Sequence, residues 1–358
     1  MKIVEIIPTL ISGGAERFVV DLSNALAKHP GIEVIILSLY DKNEQTFLFD
    51  EIANNIRIKT LGKHGGFDCR IIFKVLSFLK KESPDIVHTH IGAFPYVFFS
   101  FPFIKANFFH TVHNDAYKEA SGIDLMMKKI AYRLHLCTPI TISKESYNSF
   151  VKLYGRKEVS IIYNGCTPAN GDTINLSRYK KTPNTKIIVN VARIFRQKNQ
   201  ISLAKSATRL ISEGKDIVVL FVGRIEDETI FARLKALFSD RILYLGEVRN
   251  PRAIMASADF FCLPSVYEGM PITLLEAFSV GCVPVCSPVG GNKDVISSGV
   301  NGILGNGYDD ESVFQMLNRA LELSEDEYRA MRIAAIKSFD LYSIQSCASH
   351  YLQLFAKK

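Results

Sequence analysis

The chain has 358 residues, 47% hydrophobic and 22% charged, with a formal net charge of +7 and a pI near 8.9. That length exceeds what one hydrophobic core usually holds, so two domains are expected; the composition excludes a disordered chain, and no apolar run is long enough for a membrane-spanning helix. The mild positive charge suits an acidic ligand, phosphates or an anionic membrane without deciding among them, and no nucleic-acid partner is expected.

The first predicted strand, Lys2–Ile7, is too short and too strand-like for an export signal and runs straight into Pro8. Ala15–Lys28 follows with helical periodicity. Glu33–Ser38, Asp85–His90 and Asn107–His113 read as strands, and Pro139–Ser143 leads into a helix from Lys144. This alternation implies a parallel sheet covered on both faces. It stops at Asn164 to Lys186, a stretch rich in Asn, Gly, Thr, Pro and Lys that reads as a linker.

The alternation then resumes with strand Lys186–Ala192, a helix over Gln200–Glu213, and strands Ile217–Gly223, Ile242–Leu245 and Phe260–Leu263. Helix Pro271–Val280 and strand Val283–Cys286 follow, and the chain is helical after Glu311. The expected organisation is a Rossmann-like domain over residues 1–165, a linker over 166–185, a second such domain over 186–340, and a C-terminal helix over 341–358 packing back on the first domain. Two doubly wound α/β domains place ligands beyond the carboxyl ends of their strands, in a cleft between them.

Seven cysteines are scattered with no C-x-x-C pair. Without an export signal they are expected to be reduced thiols in the cytoplasm. His88 and His90 sit two apart on one strand face. No third ligand stands at zinc spacing, so no metal is expected.

The stretch SVYEGMPITLLEAFSVG, Ser265 to Gly281, carries the most chemistry. Pro271 suits the first turn of a helix and Gly281 its end. Glu268 then lies in the loop before the helix, and Glu276 inside it, about 7–8 Å along the axis. The free amides of the helix start make an anion site between them. The order carboxylate, phosphate cradle, carboxylate matches a nucleotide-diphosphate sugar: hexose hydroxyls, diphosphate, ribose hydroxyls. Charge-assisted bonds from vicinal hydroxyls contribute about 1.5–3 kcal/mol each. An unpartnered carboxylate among Leu274, Leu275 and Phe278 is costly, so Glu276 needs a partner or a cleft. The alternative is the solvated face of an amphipathic helix, and spacing alone leaves both open.

The pattern E-G-M-P-x4-E-A-x3-G resembles the donor-site signature of the retaining glycosyltransferases of family 4, which have the GT-B fold. Further segments fall in that family's order: SGGAER from Ser12 to Arg17, the segment around Thr111 to Asp115, IIYNG from Ile161 to Gly165, VARIFRQKN from Val191 to Asn199, SPVGGNKDVI and NGIL. The resemblance covers nearly the whole chain. It implies that Arg193 and Lys198 grip the donor diphosphate, that Glu276 binds the ribose, and that Glu268 binds hydroxyls of the transferred sugar. Gly269, Met270 and Pro271 would form the donor loop. Gly13 and Gly14 would let the first domain's backbone approach the diphosphate, and His113 would contact the transferred sugar near the reaction centre. The chain departs from the family pattern at Ala192 and Asn199, where glycine is common, and at Met270, where an aromatic is common.

The resemblance implies a hexosyl- or N-acetylhexosaminyl-transferase that needs neither metal nor other cofactor. Its donor would be a UDP-sugar and its acceptor a glycan or lipid-linked glycan in surface polysaccharide assembly. Glu268 would serve as nucleophile or as positioner of the sugar. A non-catalytic two-domain sugar-binding protein would not need Arg193 plus Lys198. A dehydrogenase would show the dinucleotide fingerprint after Ile7, which is missing. Peripheral membrane contact is expected from two stretches. Ala93 to Phe109 is dense in phenylalanine but broken by Pro95 and Pro102. Asp124 to Cys137 has Leu125, Met126, Ile130 and Leu134 near Lys128, Lys129 and Arg133, the mix of an interfacial helix.

Overall fold

The structure is a computed structural model that describes residues 1–11, 13–43 and 46–357. Ser12, which opens the expected glycine loop, lies outside the described residues. The chain divides into two compact units, Met1–Thr167 with Tyr342–Lys358, and Pro168–Leu341.

The first unit is built on strands β1 (Lys2–Ile7), β2 (Glu33–Ser38), β3 (Arg57–Thr60), β4 (Ile86–His90), β5 (Asn107–Val112), β6 (Thr138–Thr141) and β7 (Ser160–Ile161). All pairings are parallel, in the order β3-β2-β1-β4-β5-β6-β7. Its helices are α1 (Gly14–Leu26), α2 (Cys69–Glu82), α3 (Phe94–Phe98), α4 (Ala116–Glu119), α5 (Gly122–Arg133) and α6 (Lys144–Tyr154). Ser143 and Ser146 form a capping box at the start of α6, and Gly155 ends it in the left-handed region.

The second unit repeats the plan. Its strands are β8 (Lys186–Val191), β9 (Ile217–Val222), β10 (Ile242–Tyr244), β11 (Phe260–Leu263), β12 (Val283–Cys286) and β13 (Ile303–Leu304), parallel in the order β10-β9-β8-β11-β12-β13. Helices α7 (Gln200–Ser212), α8 (Glu228–Lys235), α9 (Pro251–Ala256), α10 (Ile272–Val280), α11 (Asn292–Val295), α12 (Asp310–Leu321) and α13 (Glu325–Phe339) cover it. The last helix, α14 (Ile344–Ala356), belongs to the first unit and packs on α1. Both sheets are doubly wound and Rossmann-like, as the alternation of elements predicts.

Strand residues alternate between sheet faces. In the first unit Val4, Ile6, Ile35, Leu37, Val87 and Phe108 join one core with residues of α2, α3, α5 and α6. On the other face, under α1 and α14, the same alternation lines up Glu5, His88, His90 and Thr111, all buried. Phe18 of α1 and Tyr351 of α14 lie against this polar strip, with Phe18 6.4 Å from His90 and Tyr351 5.3 Å from His88, ring centre to ring centre.

Two places differ from the sequence reading. The segment expected as a linker carries structure: Leu176 is buried, Ser177–Tyr179 makes a 3-10 turn, and the Thr182 and Thr185 hydroxyls donate to Asp216 at 2.6 and 2.9 Å. Helix α2 and the short elements β3, β13, α8 and α9 went unread. The C-terminal segment is tied to the first unit by hydrogen bonds from Cys166 N–H to the Tyr342 carbonyl, 3.0 Å, and from Ile344 N–H to the Cys166 carbonyl, 2.9 Å. A side chain at Gly165 would overlap Ile344 and Cys347, so the turn after β7 needs glycine for this close approach.

Candidate active site

The winding of the second sheet reverses between β8 and β11, the point where an open sheet takes its ligand. Arg193 and Lys198 follow β8, Glu268 to Pro271 follow β11, and Glu276 lies within α10. At the end of β9, Gly223 has φ +144°, and a Cβ there would overlap the Ala192 carbonyl. The close approach lets the Ile194 carbonyl accept from the Glu226 and Asp227 amides at 3.1 Å each, while Gln200 Nε2 donates to the Arg193 carbonyl at 2.8 Å. The Arg193 backbone is therefore fixed. Its side chain is exposed to solvent, with Nη1 3.4 Å from Glu226 Oε1. An exposed pair of this kind contributes little, so the guanidinium can exchange Glu226 for another anion at low cost.

Lys198 is held more tightly. Its Nζ lies 2.6 Å from Glu268 Oε1, and Ser265 Oγ donates to the same oxygen at 2.5 Å. Backbone and side chain bonds zip the two loops together: Val266 N–H to the Gln197 carbonyl at 2.9 Å and Gln197 Nε2 to the Tyr267 carbonyl at 2.8 Å. Asn199 adopts the left-handed conformation, φ 56°, which asparagine tolerates best after glycine. Its Nδ2 donates to the Pro264 carbonyl at 3.1 Å and the Tyr308 carbonyl at 2.6 Å, which offsets the conformational cost.

The Glu268–Pro271 loop rests on two more glycines. Gly291 N–H donates to the Gly269 carbonyl at 2.6 Å. A Cβ on Gly290, at φ +52°, would overlap the Glu268 carbonyl, and one on Gly291 would overlap Met270 Sδ. Met270 is buried beneath this contact, so its side chain packs the loop. Pro271 is the N-cap of α10 and supplies no capping side chain, and Gly281 ends the helix in the left-handed region, φ 67°. The first amides of α10 thus have no side-chain cap, the condition for an anion site. Glu276 is buried to 6% exposure, and its Oε1 lies 3.8 Å from Arg252 Nε on α9. Arg252 is the cation that the apolar surroundings of Glu276 require, and nothing in the local sequence points to it.

In the first unit, Gly13 is the N-cap of α1 and Gly14 its first residue, with no side-chain cap. A Cβ on Gly13 would overlap the Glu16 carboxylate. His113 follows β5 and is half-buried. It meets Phe18, one turn into α1, edge to face, with the ring centres 5.7 Å apart. Its backbone N–H donates to Glu119 Oε2 at 2.5 Å, and its Nε2 lies 2.9 Å from His90 Nδ1. Burial would raise Glu119, but Lys128 and His110 outweigh it and bring the carboxyl to about 2. Burial pushes His113 well below the ordinary histidine range, so the ring is neutral at pH 7.

Behind His113, His90 Nε2 lies 2.7 Å and His88 Nδ1 2.9 Å from the same Glu5 oxygen. Glu5 comes from the neighbouring strand and supplies the third group that sequence spacing did not reveal beside His88 and His90. The three offer ligand atoms within 4.8 Å of one another, the only such group among the described residues. The structure therefore brings Lys198, Glu268, Gly269, Met270 and Pro271 onto two adjoining loops of one unit, with Glu276 in the helix that follows and Arg193 beside Glu226. Gly13, Gly14 and His113 gather at one end of the other unit's sheet.

Residues 173–338 match the family Glycosyl transferases group 1, and residues 12–170 match Glycosyltransferase Family 4. The chain belongs to these glycosyltransferases, its first half to one family and its second half to the other. It is 28% identical over 263 residues to the UDP-Gal:alpha-D-GlcNAc-diphosphoundecaprenol alpha-1,3-galactosyltransferase of Escherichia coli, a match over 66% of each chain and so just under two thirds of that protein. It is 26% identical over 331 residues to an alpha-1,4-N-acetyl-D-galactosaminyltransferase of Campylobacter jejuni acting on a diNAcBac-PP-undecaprenol-linked glycan, covering 87% of this chain and 86% of that one. Among solved structures, Anabaena HepE in complex with UDP and glucose superposes over the full length of both chains with a TM-score of 0.83 at 17% identity. The sucrose-phosphate synthase of Thermosynechococcus elongatus does so with a TM-score of 0.83 at 18%. At that identity the likeness is one of fold, the GT-B class.

Proposed function

We propose that this chain transfers a hexosyl or N-acetylhexosaminyl unit, with retention, from a UDP-sugar to a hydroxyl of a lipid-linked glycan in surface polysaccharide assembly. The observation that carries the reading is the partly buried Lys198–Glu268 pair beside the uncapped start of α10, with Glu276 further along that helix and Arg252 on α9 next to it. The relatives of E. coli and C. jejuni are named for galactosyl and N-acetylgalactosaminyl transfer to undecaprenyl-diphosphate-linked sugars, which supports the acceptor class. A neighbour with UDP and glucose supports the donor class.

In the reaction the bond from the anomeric carbon to the diphosphate oxygen breaks, and a bond from that carbon to the acceptor oxygen forms. Negative charge grows on the leaving diphosphate. Lys198, Arg193 and the α10 amides stabilise that charge in place of a divalent metal. When Lys198 turns to the phosphate, Glu268 is released to accept hydrogen bonds from the sugar hydroxyls. Glu268 positions the sugar rather than attacking it. The acceptor enters on the face the diphosphate leaves, and a phosphate oxygen takes its proton. Glu276 accepts from the ribose hydroxyls, with Arg252 holding it in register. In the first unit, Gly13 and Gly14 at the uncapped start of α1 suit a phosphate, and His113 suits a hydroxyl of the transferred sugar.

The acceptor's lipid places the enzyme at a membrane surface. No described helix is long and apolar enough to cross one. Helix α5 exposes Ile123, Met126 and Ile130 along one stripe, continued by Leu134 just past its end, with Lys129 and Arg133 beside it. This mix of apolar and basic groups fits the interface of an anionic leaflet.

The test is a panel of UDP-, GDP- and ADP-sugars with chelator present, reading nucleotide release with and without an undecaprenyl-diphosphate-linked acceptor. Acceptor-stimulated release of UDP alone is the expected result. Release of no nucleotide from any donor would overturn the reading.

A further inference from the structure

The polar strip under α1 and α14 forms one continuous chain of hydrogen-bonding groups. His113 Nε2 lies 2.9 Å from His90 Nδ1, and His90 Nε2 lies 2.7 Å from Glu5 Oε2. On the other side His88 Nδ1 lies 2.9 Å from the same oxygen, off the line of an ideal bond. His88 Nε2 lies 2.8 Å from Thr111 Oγ1, which lies 3.0 Å from the Tyr351 hydroxyl. Glu5, His88, His90, Thr111 and Tyr351 are fully buried. Each proton must therefore be placed by the chain itself, without help from water.

On the His113 arm the placement has one solution once Glu5 is a carboxylate and His90 is neutral. Burial would raise Glu5, but His88 and His90 outweigh it and bring it to about 2. A carboxylate only accepts, so His90 must present Nε2–H to it. Burial, with the neighbouring His88, brings His90 to about 4 against the pull of Glu5, so this ring is neutral and its Nδ1 is bare. A bare Nδ1 on His90 takes a proton from His113 Nε2. A neutral His113 that donates from Nε2 carries its lone pair on Nδ1. The other arm, through His88, Thr111 and Tyr351, reaches Glu5 from the far side and leaves the order at His113 unaltered.

We propose that Glu5 and His90 are positioning residues that fix His113 as the Nε2–H tautomer, so that its Nδ1 is a standing acceptor for a hydroxyl of the transferred sugar. The inference rests on the glycosyl-transfer reading for the ligand, but the tautomer itself does not depend on it. A free imidazole exchanges tautomers, and its Nδ1–H form presents N–H rather than a lone pair to the sugar hydroxyl. Glu5 removes that ambiguity from two residues away, through a ring that touches no substrate. A carboxylate behind a histidine is a recognised way to hold its tautomer. Here a second histidine is interposed, because Glu5 sits on β1 and His113 beyond the end of β5, two strands along the sheet. The sugar hydroxyl this selects is a hydrogen-bond donor, so a donor sugar lacking it, or carrying an ether there, is discriminated against.

Histidine ring 15N spectra of the protein at neutral pH test this directly, with His113→Gln assigning the signal among the eight histidines. The expected result is a pyridine-like Nδ1 and a pyrrole-like Nε2 at His113. In Glu5→Gln, whose amide can donate to His90, His113 is expected as a mixture of tautomers. Calorimetry on that variant is expected to show unchanged affinity for UDP and roughly tenfold weaker affinity for the UDP-sugar. An Nδ1–H or imidazolium His113 in the wild-type protein would overturn the proposal. So would an unchanged tautomer and sugar affinity in Glu5→Gln. Stoichiometric zinc in the purified protein would overturn it too, since a metal on His90 Nε2 displaces the proton the chain requires. If Glu5→Gln does not fold, the wild-type spectrum decides alone. If no nucleotide binds, the transfer reading fails while the spectrum still judges the tautomer.

Discussion

Lys198 and Glu268 neutralise each other at 2.6 Å, and both are needed by different parts of the donor. Lys198→Ala removes the cation facing the leaving group and leaves Glu268 buried without its partner. A fall in kcat/KM of about 100-fold is expected, the scale of losing one preorganised charge at a developing anion. Glu268→Gln keeps the shape and is expected to lower kcat more than it raises KM, since its bonds tighten as the sugar flattens. Glu276→Ala removes two hydroxyl bonds of about 1.5–3 kcal/mol each, so KM for the nucleotide sugar is expected to rise at least tenfold. Steady-state kinetics on the three variants separates these effects. Gly290→Ala tests the loop's support, because a methyl there overlaps the Glu268 carbonyl. It is expected to lower Tm and donor affinity together, read by thermal unfolding and titration.

Helix α5 shows how far periodicity carries and where it stops. The apolar and basic spacing of residues 124–137 is real, but Lys128 is not on its surface. It is 1% exposed and bonds Glu119 at 3.2 Å, with Asp124 3.3 Å away. Periodicity placed Lys128 beside Lys129; only the position of α4, which brings in Glu119, shows that one faces the core. Lys128→Glu is therefore expected to unfold the first unit, because a new buried carboxylate would face those of Glu119 and Asp124; loss of a buried partner alone costs about 3–5 kcal/mol. Lys129→Glu with Arg133→Glu is expected to keep the fold and to weaken binding to anionic vesicles at low salt by about 1 kcal/mol per charge removed. Circular dichroism and vesicle co-sedimentation check the pair. Binding by this double variant equal to wild type on anionic and neutral vesicles alike would remove α5 from the membrane account. The strongly patterned elements, β1, β2, β4, β5, β8, β9, β11 and α10, were legible because β-branched runs and the Pro271–Gly281 punctuation are local. Strand β3 was not, since Arg57–Thr60 is largely exposed at a sheet edge, and helix α2 was not, since only Ile71, Val75 and Leu79 of its face are buried. The donor loop was legible as a spacing, while Arg252 and Glu5 were not, because each reaches its partner from another element.

Across the whole chain, stability against acid follows from groups the fold keeps out of their ordinary protonation state. His90 and His110 are brought to about 4 by burial, from the usual value near 6.5. An unfolded chain binds protons at these rings as pH falls below about 6.5, while the folded chain does not until about 4, so folding stability is fully present above that window and lost through it. Glu5 and Glu119, held at about 2, add a second loss as pH falls below the ordinary carboxylate range. The urea midpoint is expected to be flat above about pH 7 and to fall steeply toward pH 4. His90→Gln, which cannot charge, is expected to flatten part of that slope. The central claim concerns the second unit, that its two loops hold a nucleotide diphosphate with no metal. Calorimetric titration of UDP into the wild-type protein, Lys198→Ala and Glu276→Ala, all in excess chelator, tests it most directly. The account predicts one UDP bound per wild-type chain and affinity at least roughly tenfold weaker in each variant. Binding that appears only when Mg2+ is restored, or equal binding by wild type and both variants, would contradict it.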